Sequence, residues 1–521
     1  ANLKKVGSIS MLTHGNPLKT IILPELEVVY GNFSIPGVLN AMSLRTVYMP
    51  KLTSVEGDFI IEGMPNISSF QVPSLKEVFG ELSLGGNGGM KDLYALSFPK
   101  LEIIGGVFHL YQFQNHPDGN KIEMPLLKKC GGFDWDTTNN IDVVEFPMLE
   151  EINGGTYFGG KEEYRNNSQA TKISLPNVTY IEHLSLVNFK SLLTIEMPKL
   201  KEARNVILGS MNNLKNLDCL SSLNAIHGTL TLKDLTGLQE KFAIPAGLNI
   251  LNGLAVENIP GLTELDLRGT GIKDIGVASK ATTPFKLTAD DVLEGSLTLS
   301  GMIELNGFKE IKGNVTITYT ASDKLNLAIP NTKKIGGNLS LSYTGKKGSI
   351  SIPELQEVGG SFTVKSDSPF KADNLTTVGG ALLYDMTMSS LNGSIVSEFT
   401  LPELKSVGSD FTIYTWARPA SPVLEIKMPV LTKINGKLFI RHTDPSSAYG
   451  SSGMASNNVT NLNGFSALTS LKSVEIWRQG SLKSFKGLKN AIHSFSVETW
   501  NVKNCGYDPT YDDMLNGNTD N

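Results

Sequence analysis

The chain has 521 residues, of which 40% are hydrophobic and 19% are charged, and its formal net charge is −5. These values are typical of a folded globular protein, and the absence of a long Lys/Arg run argues against a nucleic-acid partner. No apolar stretch approaches the about 20 residues that a membrane helix requires, so we expect no membrane span within this chain.

An internal repeat organises most of the sequence. Counted from its proline, the unit carries Leu at +2, Val or Ile at +5, Gly at +7 and apolar residues at +9 and +11. The alternation after Gly is typical of a short strand with one buried face. Proline suits a corner between two such strands, and Gly permits a close approach or a positive φ. The clearest copies begin at Pro24, Pro50, Pro73, Pro99 and Pro353.

One coil of this kind cannot bury its own apolar side, so copies must stack. The repeat therefore predicts a mainly β fold, a right-handed parallel β-solenoid of about twenty coils with little helix. In chain order we expect the N-terminal part of the solenoid at 1–275 and its C-terminal part at 293–503, followed by a cap or tail at 504–521. Residues 276–292 fit no unit and are predicted to be an irregular insertion or a boundary.

Familiar catalytic and metal-binding motifs are missing from the sequence. It contains no GxxxxGK[ST], GxSxG, HExxH or paired CxxC. The cysteines Cys130, Cys219 and Cys505 are odd in number and far apart, which predicts buried or incidental thiols instead of a disulfide framework. We therefore expect no catalytic residues, no metal site and no cofactor.

One copy of the repeat departs from the pattern. In the unit at Pro125, positions +9 and +11 fall on Asp134 and Asp136, although these positions are apolar elsewhere. Either the register slips by one, so that Phe133 and Trp135 fill the core, or two acids have gathered for a purpose such as glycan hydrolysis. Because burying unpaired carboxylates is costly, we favour the slip.

The alternative register would create a candidate binding surface. Without the slip, the outward +10 position holds His109, Trp135 and Tyr157 on successive coils, with Tyr111 at +12 beside them. A row of flat amphipathic rings is a plausible platform for a sugar or a peptide. The two interpretations of Trp135 exclude each other. A weaker second patch near the far end comprises Tyr414, Trp416, Arg418 and Arg441.

The chain also contains several N-x-S/T sequons, for which we favour a structural origin. In Asn32-Phe33-Ser34, Asn314-Val315-Thr316 and Asn338-Leu339-Ser340, the middle residue occupies an inward position of the repeat. Strand alternation then places Asn and Ser or Thr outward and generates the sequon without any glycosylation.

The consensus Leu-Pro-x-Leu-x-x-Val-x-Gly-x-Phe-x-Ile resembles the receptor L-domain type of leucine-rich-repeat solenoid. The chain looks still more like the large, exported, cysteine-poor leucine-rich proteins of bacterial cell surfaces. The closing segment 504–514 resembles a tail common in those proteins. This resemblance implies an exported, extracellular or cell-surface location. We further expect the chain to be a monomer.

A complete structural repeat without an assembled catalytic set favours a binding function. We expect a non-enzymatic surface binding or adhesion solenoid that recognises a protein or a glycan through its sheet face. Two alternatives stay open, which are a polysaccharide-degrading β-helix enzyme and a structural spacer without a specific ligand.

Overall fold

The structure is a computed structural model, and its described residues cover most of the chain. They are residues 2–11, 18–36, 43–63, 65–85, 92–113, 116, 118–136, 141–158, 169–238, 240–243, 247–279, 285–321, 327–345, 349–366, 368–386, 396–415, 422–442, 459–494 and 496–521.

Over the described residues, the fold is mainly β, a parallel β-solenoid of about 17 coils with two short α-helices and 4% helix. The predicted mainly β, parallel solenoid with little helix is confirmed. Coil length varies, and a long coil separates Ile434 from its register partner Leu471. The chain divides into two compact units, Ala1–Leu262 and Thr263–Asn521.

The first unit carries a main parallel sheet and shorter strands on another side of the coil. Its main-sheet strands are β1 (Lys5–Val6), β2 (Ile9–Ser10), β4 (Val28–Val29), β5 (Phe33–Ile35), β7 (Ser54–Val55), β8 (Phe59–Glu62), β10 (Glu77–Val78), β11 (Leu82–Gly85), β13 (Ile103–Tyr111), β15 (Lys129–Asp136), β17 (Glu151–Tyr157), β19 (Tyr180–Val187), β21 (Glu202–Gly209), β22 (Ala225–Ile226), β23 (Thr229–Lys233), β25 (Asn249–Ile250) and β26 (Gly253–Glu257). The shorter strands are β3 (Thr20–Ile22), β6 (Thr46–Tyr48), β9 (Ser69–Gln71), β12 (Ala95–Ser97), β14 (Lys121–Glu123), β16 (Val143–Glu145), β18 (Lys172–Ser174), β20 (Thr194–Glu196) and β24 (Glu240–Ala243), with a 3₁₀ turn at Asp218–Leu220.

The second unit repeats this arrangement. Its main-sheet strands are β28 (Asp274–Ala278), β30 (Val292–Leu293), β31 (Leu297–Ser300), β33 (Glu310–Ile311), β34 (Val315–Ala321), β36 (Lys334–Ile335), β37 (Leu339–Gly345), β39 (Glu357–Val358), β40 (Phe362–Ser366), β42 (Thr377–Val378), β43 (Leu382–Asp385), β45 (Ser406–Val407), β46 (Phe411–Thr415), β48 (Lys433–His442), β49 (Ser470–Trp477) and β50 (Thr499–Lys503). The shorter strands are β27 (Leu262–Asp266), β29 (Phe285–Thr288), β32 (Ile303–Asn306), β35 (Leu327–Ala328), β38 (Ile350–Ser351), β41 (Phe370–Lys371), β44 (Glu398–Thr400) and β47 (Glu425–Lys427). The helices are α1 (Lys489–His493) and α2 (Tyr511–Leu515), with 3₁₀ turns at Asn463–Phe465 and Lys486–Leu488.

Residues 276–292, predicted to be an insertion or boundary, contain the end of β28, all of β29 and the start of β30. Residues 280–284 between these strands lie outside the described residues. The predicted boundary at this position stays a prediction.

The core follows the apolar positions of the repeat. In the unit at Pro50, Leu52, Val55, Phe59 and Ile61 are fully buried. Equivalent residues stack from coil to coil, as Phe33 does edge to face against Phe59 at a ring-centroid distance of 5.1 Å. Each such buried side chain contributes about 1.5–3 kcal/mol, so stacking stabilises what a single coil could not.

A side-chain ladder accompanies this core. The residue after the repeat glycine accepts a hydrogen bond from a backbone N–H of the next coil. Asn314 Oδ1 accepts from the N–H of Asn338 at 2.8 Å, and Asn338 Oδ1 accepts from the N–H of Ser361 at 2.7 Å. The same bond is made by Asn32, Asp58, Ser296 and Ser361, each of which also follows a glycine. Equivalent bonds are made by Asn205, Asp274 and Asp410, which do not follow a glycine.

This ladder explains the repeat glycine. A Cβ at Gly57 would lie 2.0 Å from Asn32 Oδ1, and a Cβ at Gly337 would lie 2.5 Å from Asn314 Oδ1. Of the two reasons expected for glycine, the close approach therefore holds at these positions. Asn32, Asn314 and Asn338 are also the asparagines of three sequons. Because their side chains accept hydrogen bonds within the coil stack, these asparagines have a structural role.

The three cysteines are free thiols. Cys130 is fully buried, and burial raises the pKa of its thiol to about 12. Burial likewise raises the thiol pKa of Cys219 to about 12 and that of Cys505 to about 11. All three thiols are therefore protonated at neutral pH.

Residues 504–521 pack against the last coil. Trp500 Nε1 donates to the carbonyl of Pro509 at 2.7 Å, and Met514 of α2 is fully buried. Thr510 and Asp513 form a capping box at the start of α2. Among the helices of the described residues, none has the length and apolar character needed to cross a membrane.

Candidate ligand-binding surfaces

A register shift between β13 and β15 determines which residues of the anomalous copy face inward. The two strands pair Ile104 with Cys130, and beyond the shift they pair Phe108 with Phe133. The favoured slip is thus what the structure contains, with Asp134 and Asp136 on the outward side of the strand.

Trp135 is therefore a core residue, and its place in an outward platform is corrected. Its side chain is 1% exposed and packs edge to face against Phe108 at 5.5 Å and Phe158 at 4.9 Å between ring centroids. The indole fills the core because β15 is one residue shorter here than its neighbouring strands, so the inward and outward positions of β15 are exchanged.

The outward row at this place is His109, Asp134 and Tyr157, which are register partners on β13, β15 and β17. His109 and Tyr111 come together, since their rings stack at 5.7 Å and His109 Nδ1 shares a hydrogen bond of 2.8 Å with Tyr111 Oη. Tyr157 lies beyond Asp134, so the structure does not form the predicted row of adjacent rings.

Carboxylates surround the His109–Tyr111 pair. His109 lies 3.6 Å from Asp134 and 3.8 Å from Glu81, measured between nitrogen and carboxylate oxygen. Burial, and then the charges of Asp134, Glu62, Glu81 and Asp136, raise the pKa of the Tyr111 phenol to about 12. This part of the first unit is therefore an acidic surface.

The second predicted patch is partly represented. Tyr414 of β46 and Arg441 of β48 are register partners. Trp416 and Arg418 lie outside the described residues.

The structure extends this patch along two further strands. Arg441 pairs in register with Trp477 of β49, which pairs with Lys503 of β50. We call Tyr414, Arg441, Trp477 and Lys503 the Trp477 row. Because neighbouring strands lie about 4.8 Å apart, the row spans about 14 Å over four coils.

Cations cover the indole of Trp477. Lys503 Nζ lies 4.0 Å from the ring centroid, and Arg441 Cζ lies 5.4 Å from it. Both distances are within the range of cation–π attraction.

Phe439 lies beside the row and completes an aromatic cluster. Its ring meets Tyr414 at 5.9 Å and Trp477 at 5.8 Å, with interplanar angles of 85° and 89°. Lys437 Nζ lies 5.5 Å above the Phe439 ring and donates to Glu475 in an ion pair. The cluster thus presents both faces and edges of rings on the outward side of the sheet.

Two polar atoms of the row lack hydrogen-bond partners. Arg441 Nε and Trp477 Nε1 are buried and have no acceptor in the part of the chain that the structure describes. Other buried atoms of the described residues are also unpaired, among them Trp135 Nε1 in the core. The two donors of the row are therefore available to a ligand oxygen, but they do not by themselves mark the row as a binding site.

Sequence reasoning missed Phe439, Trp477 and Lys503. A signal existed for Trp477, because Val474 and Ile476 have the apolar alternation of inward strand positions, and the same alternation turns residue 477 outward. The signal for Lys503 was weaker, since the recognisable repeat had ended before β50.

The first unit also has a groove with a volume of about 590 Å³. It lies along β14 and β16, between the corners at Pro99, Pro125 and Pro147. Within the described ranges, no cluster of three or more His, Cys, Asp or Glu residues could hold a metal ion.

Comparison with known protein families and with curated protein sequences gives no match for this chain. A functional interpretation therefore depends on the geometry of these surfaces.

Proposed function

We propose that this chain is a non-enzymatic, exported binding solenoid that recognises a protein or glycan partner through the outward face of its main sheet. We also propose that its coils are of the L-domain, leucine-rich type. The repeat consensus and its proline corners support this coil type.

One observation carries the binding proposal, namely the Trp477 row. A tryptophan that stands outward on a strand, flanked by two cations and an aromatic neighbour, combines the side chains that dominate recognition surfaces. Since the strands beneath it are paired through their backbones, the row is held on a rigid support.

The experiment is a capture screen with purified protein. Wild type and Trp477→Ala are applied to glycan arrays and to surface-labelled cell extracts. We expect wild type to retain a defined partner and Trp477→Ala to lose it, with unchanged melting temperatures. Tyr30→Ala is the matched control, because Tyr30 is a 51% exposed aromatic residue in the first unit.

The same screen separates the competing functions. New reducing ends or unsaturated products in the polysaccharide samples would replace the binding proposal with an enzymatic one. Retention of no partner by any preparation would favour a structural spacer.

A further inference from the structure

We infer that the Trp477 row binds a saccharide that carries carboxylate groups. This inference rests on the proposed binding function and names the class of its glycan partner. Three independent features of the row point to this class, namely its charge, its missing acceptors and its rings.

The charge of the row is uncompensated. Lys437 beside the row is neutralised by Glu475, whereas Arg441 and Lys503 have no carboxylate partner within the described ranges. A guanidinium presents a planar fork that matches a carboxylate, and an ammonium adds a point charge next to it. The two cations flank Trp477 in register and lie over its ring, so an anion bound between them would meet both.

The missing acceptors indicate an oxygen-rich ligand. Arg441 Nε and Trp477 Nε1 are buried donors without partners among the residues that the structure describes. Hydroxyl and carboxylate oxygens of an acidic sugar would supply acceptors after small rotations of these side chains. An apolar ligand would leave both donors unsatisfied.

The rings favour a saccharide over an acidic peptide. An extended peptide gains affinity by adding to an open strand edge, but β46, β48 and β49 are each paired with parallel strands on both sides. Recognition here must use side chains alone. Rings that offer faces as well as edges suit the apolar C–H face of a pyranose.

An acidic residue at one end of the row indicates how the ligand is oriented. Asp385 is the register partner of Tyr414, so an acid lies at this end of the row, whereas the cations lie on the strands at the other end. The ligand carboxylate should therefore lie near Arg441 and Lys503, with uncharged parts of the saccharide over Tyr414 and Phe439.

The test is calorimetric titration of the full chain with oligogalacturonate, a sialylated oligosaccharide, the methyl ester of the same oligogalacturonate, and polyglutamate. The variants are Arg441→Gln and Lys503→Gln. Lys472→Gln is the matched control, because Lys472 is an exposed lysine of β49 outside the row. Melting temperatures confirm that each variant is folded.

We expect at least one acidic saccharide to bind, its ester to bind about tenfold more weakly, and Arg441→Gln to weaken binding about tenfold. Lys503→Gln should weaken binding less because Lys503 is exposed, and Lys472→Gln should match wild type. Added salt should weaken wild type more than Arg441→Gln.

Four results would overturn the inference. They are no binding of either acidic saccharide, equal binding of acid and ester, wild-type affinity in both row variants, and binding of polyglutamate alone. If the capture screen still retains another partner through Trp477, the proposed binding function survives these results. Loss of every partner in that screen would instead refute the binding function itself.

Discussion

Tyr111 is the residue at which burial and neighbouring charge act in the same direction. Burial removes water from its phenol, and carboxylates on neighbouring coils disfavour the phenolate, so its pKa rises from an ordinary 10.0 to about 12. The folded state thus keeps a proton that the unfolded chain releases near pH 10.

This shift predicts a loss of stability at alkaline pH. The contribution of Tyr111 to the free energy of unfolding is fully present below pH 10. It disappears as the pH rises from about 10 to about 12, because over this interval the folded state binds more protons than the unfolded state. Denaturant unfolding of wild type and Tyr111→Phe at stepped pH measures it. The variant should lose less stability over this interval, and identical slopes for the two proteins would contradict the assignment.

Trp135 provides a second test at the residue scale. Because its indole is enclosed by Phe108, Phe146 and Phe158, Trp135→Ala should lower the free energy of unfolding by about 3–5 kcal/mol. Tyr157→Ala is the control, as this ring lies on the outward face of the neighbouring strand β17. A loss below about 1 kcal/mol for Trp135→Ala would place the indole outside the core.

At the scale of the coil, the side-chain ladder and the repeat glycine depend on each other. At several coils, an Asn, Asp or Ser that follows the repeat glycine accepts a hydrogen bond from an N–H of the next coil, and the glycine of that next coil leaves room for the side chain. The register of the stack is thereby fixed on its polar side as well as in its core.

Gly57→Ala should therefore destabilise the protein by about 1–3 kcal/mol, since its Cβ would lie 2.0 Å from Asn32 Oδ1. Combining it with Asn32→Ala should cost less than the sum of the single changes, because one clash is removed. Recovery should be partial, as the carbonyl carbon of Gly31 at 2.8 Å stays in place. Denaturant titration measures these free energies.

The matched control is Gly7→Ala, because nothing lies within 4 Å of a Cβ at that glycine. It should leave stability unchanged. If the changes in the free energy of unfolding caused by Gly57→Ala and Asn32→Ala were strictly additive, the ladder side chain would not be the reason that position 57 requires glycine.

For the whole molecule, the repeat predicted the parallel solenoid because every coil faces the same burial problem. Its inward positions, such as Leu52 and Phe59, are buried as expected. The outward surfaces were less predictable, since β15 has one residue fewer between Cys130 and Phe133 than β13 has between Ile104 and Phe108, which changes the residues of that coil that face outward. The Trp477 row could not be assembled from sequence because it depends on the register across four strands of unequal spacing.

The closing segment has a testable role at this scale. Ending the chain after Lys503 removes α2, the Trp500–Pro509 hydrogen bond and the packing of Tyr507 on Phe485. We expect a lower melting temperature and self-association through the uncovered last coil. Size-exclusion chromatography and thermal unfolding measure both effects, and a monomer with wild-type stability would refute this role.

The binding proposal places the partner on the outward sheet face at Trp477. Oxidative footprinting of wild type, free and saturated with the captured partner, tests this placement without any substitution. We expect the partner to protect Trp477 several-fold, while the oxidation of Trp135 in the core and Trp500 at the cap does not change. Unchanged oxidation of Trp477, with protection confined to other surfaces, would contradict it.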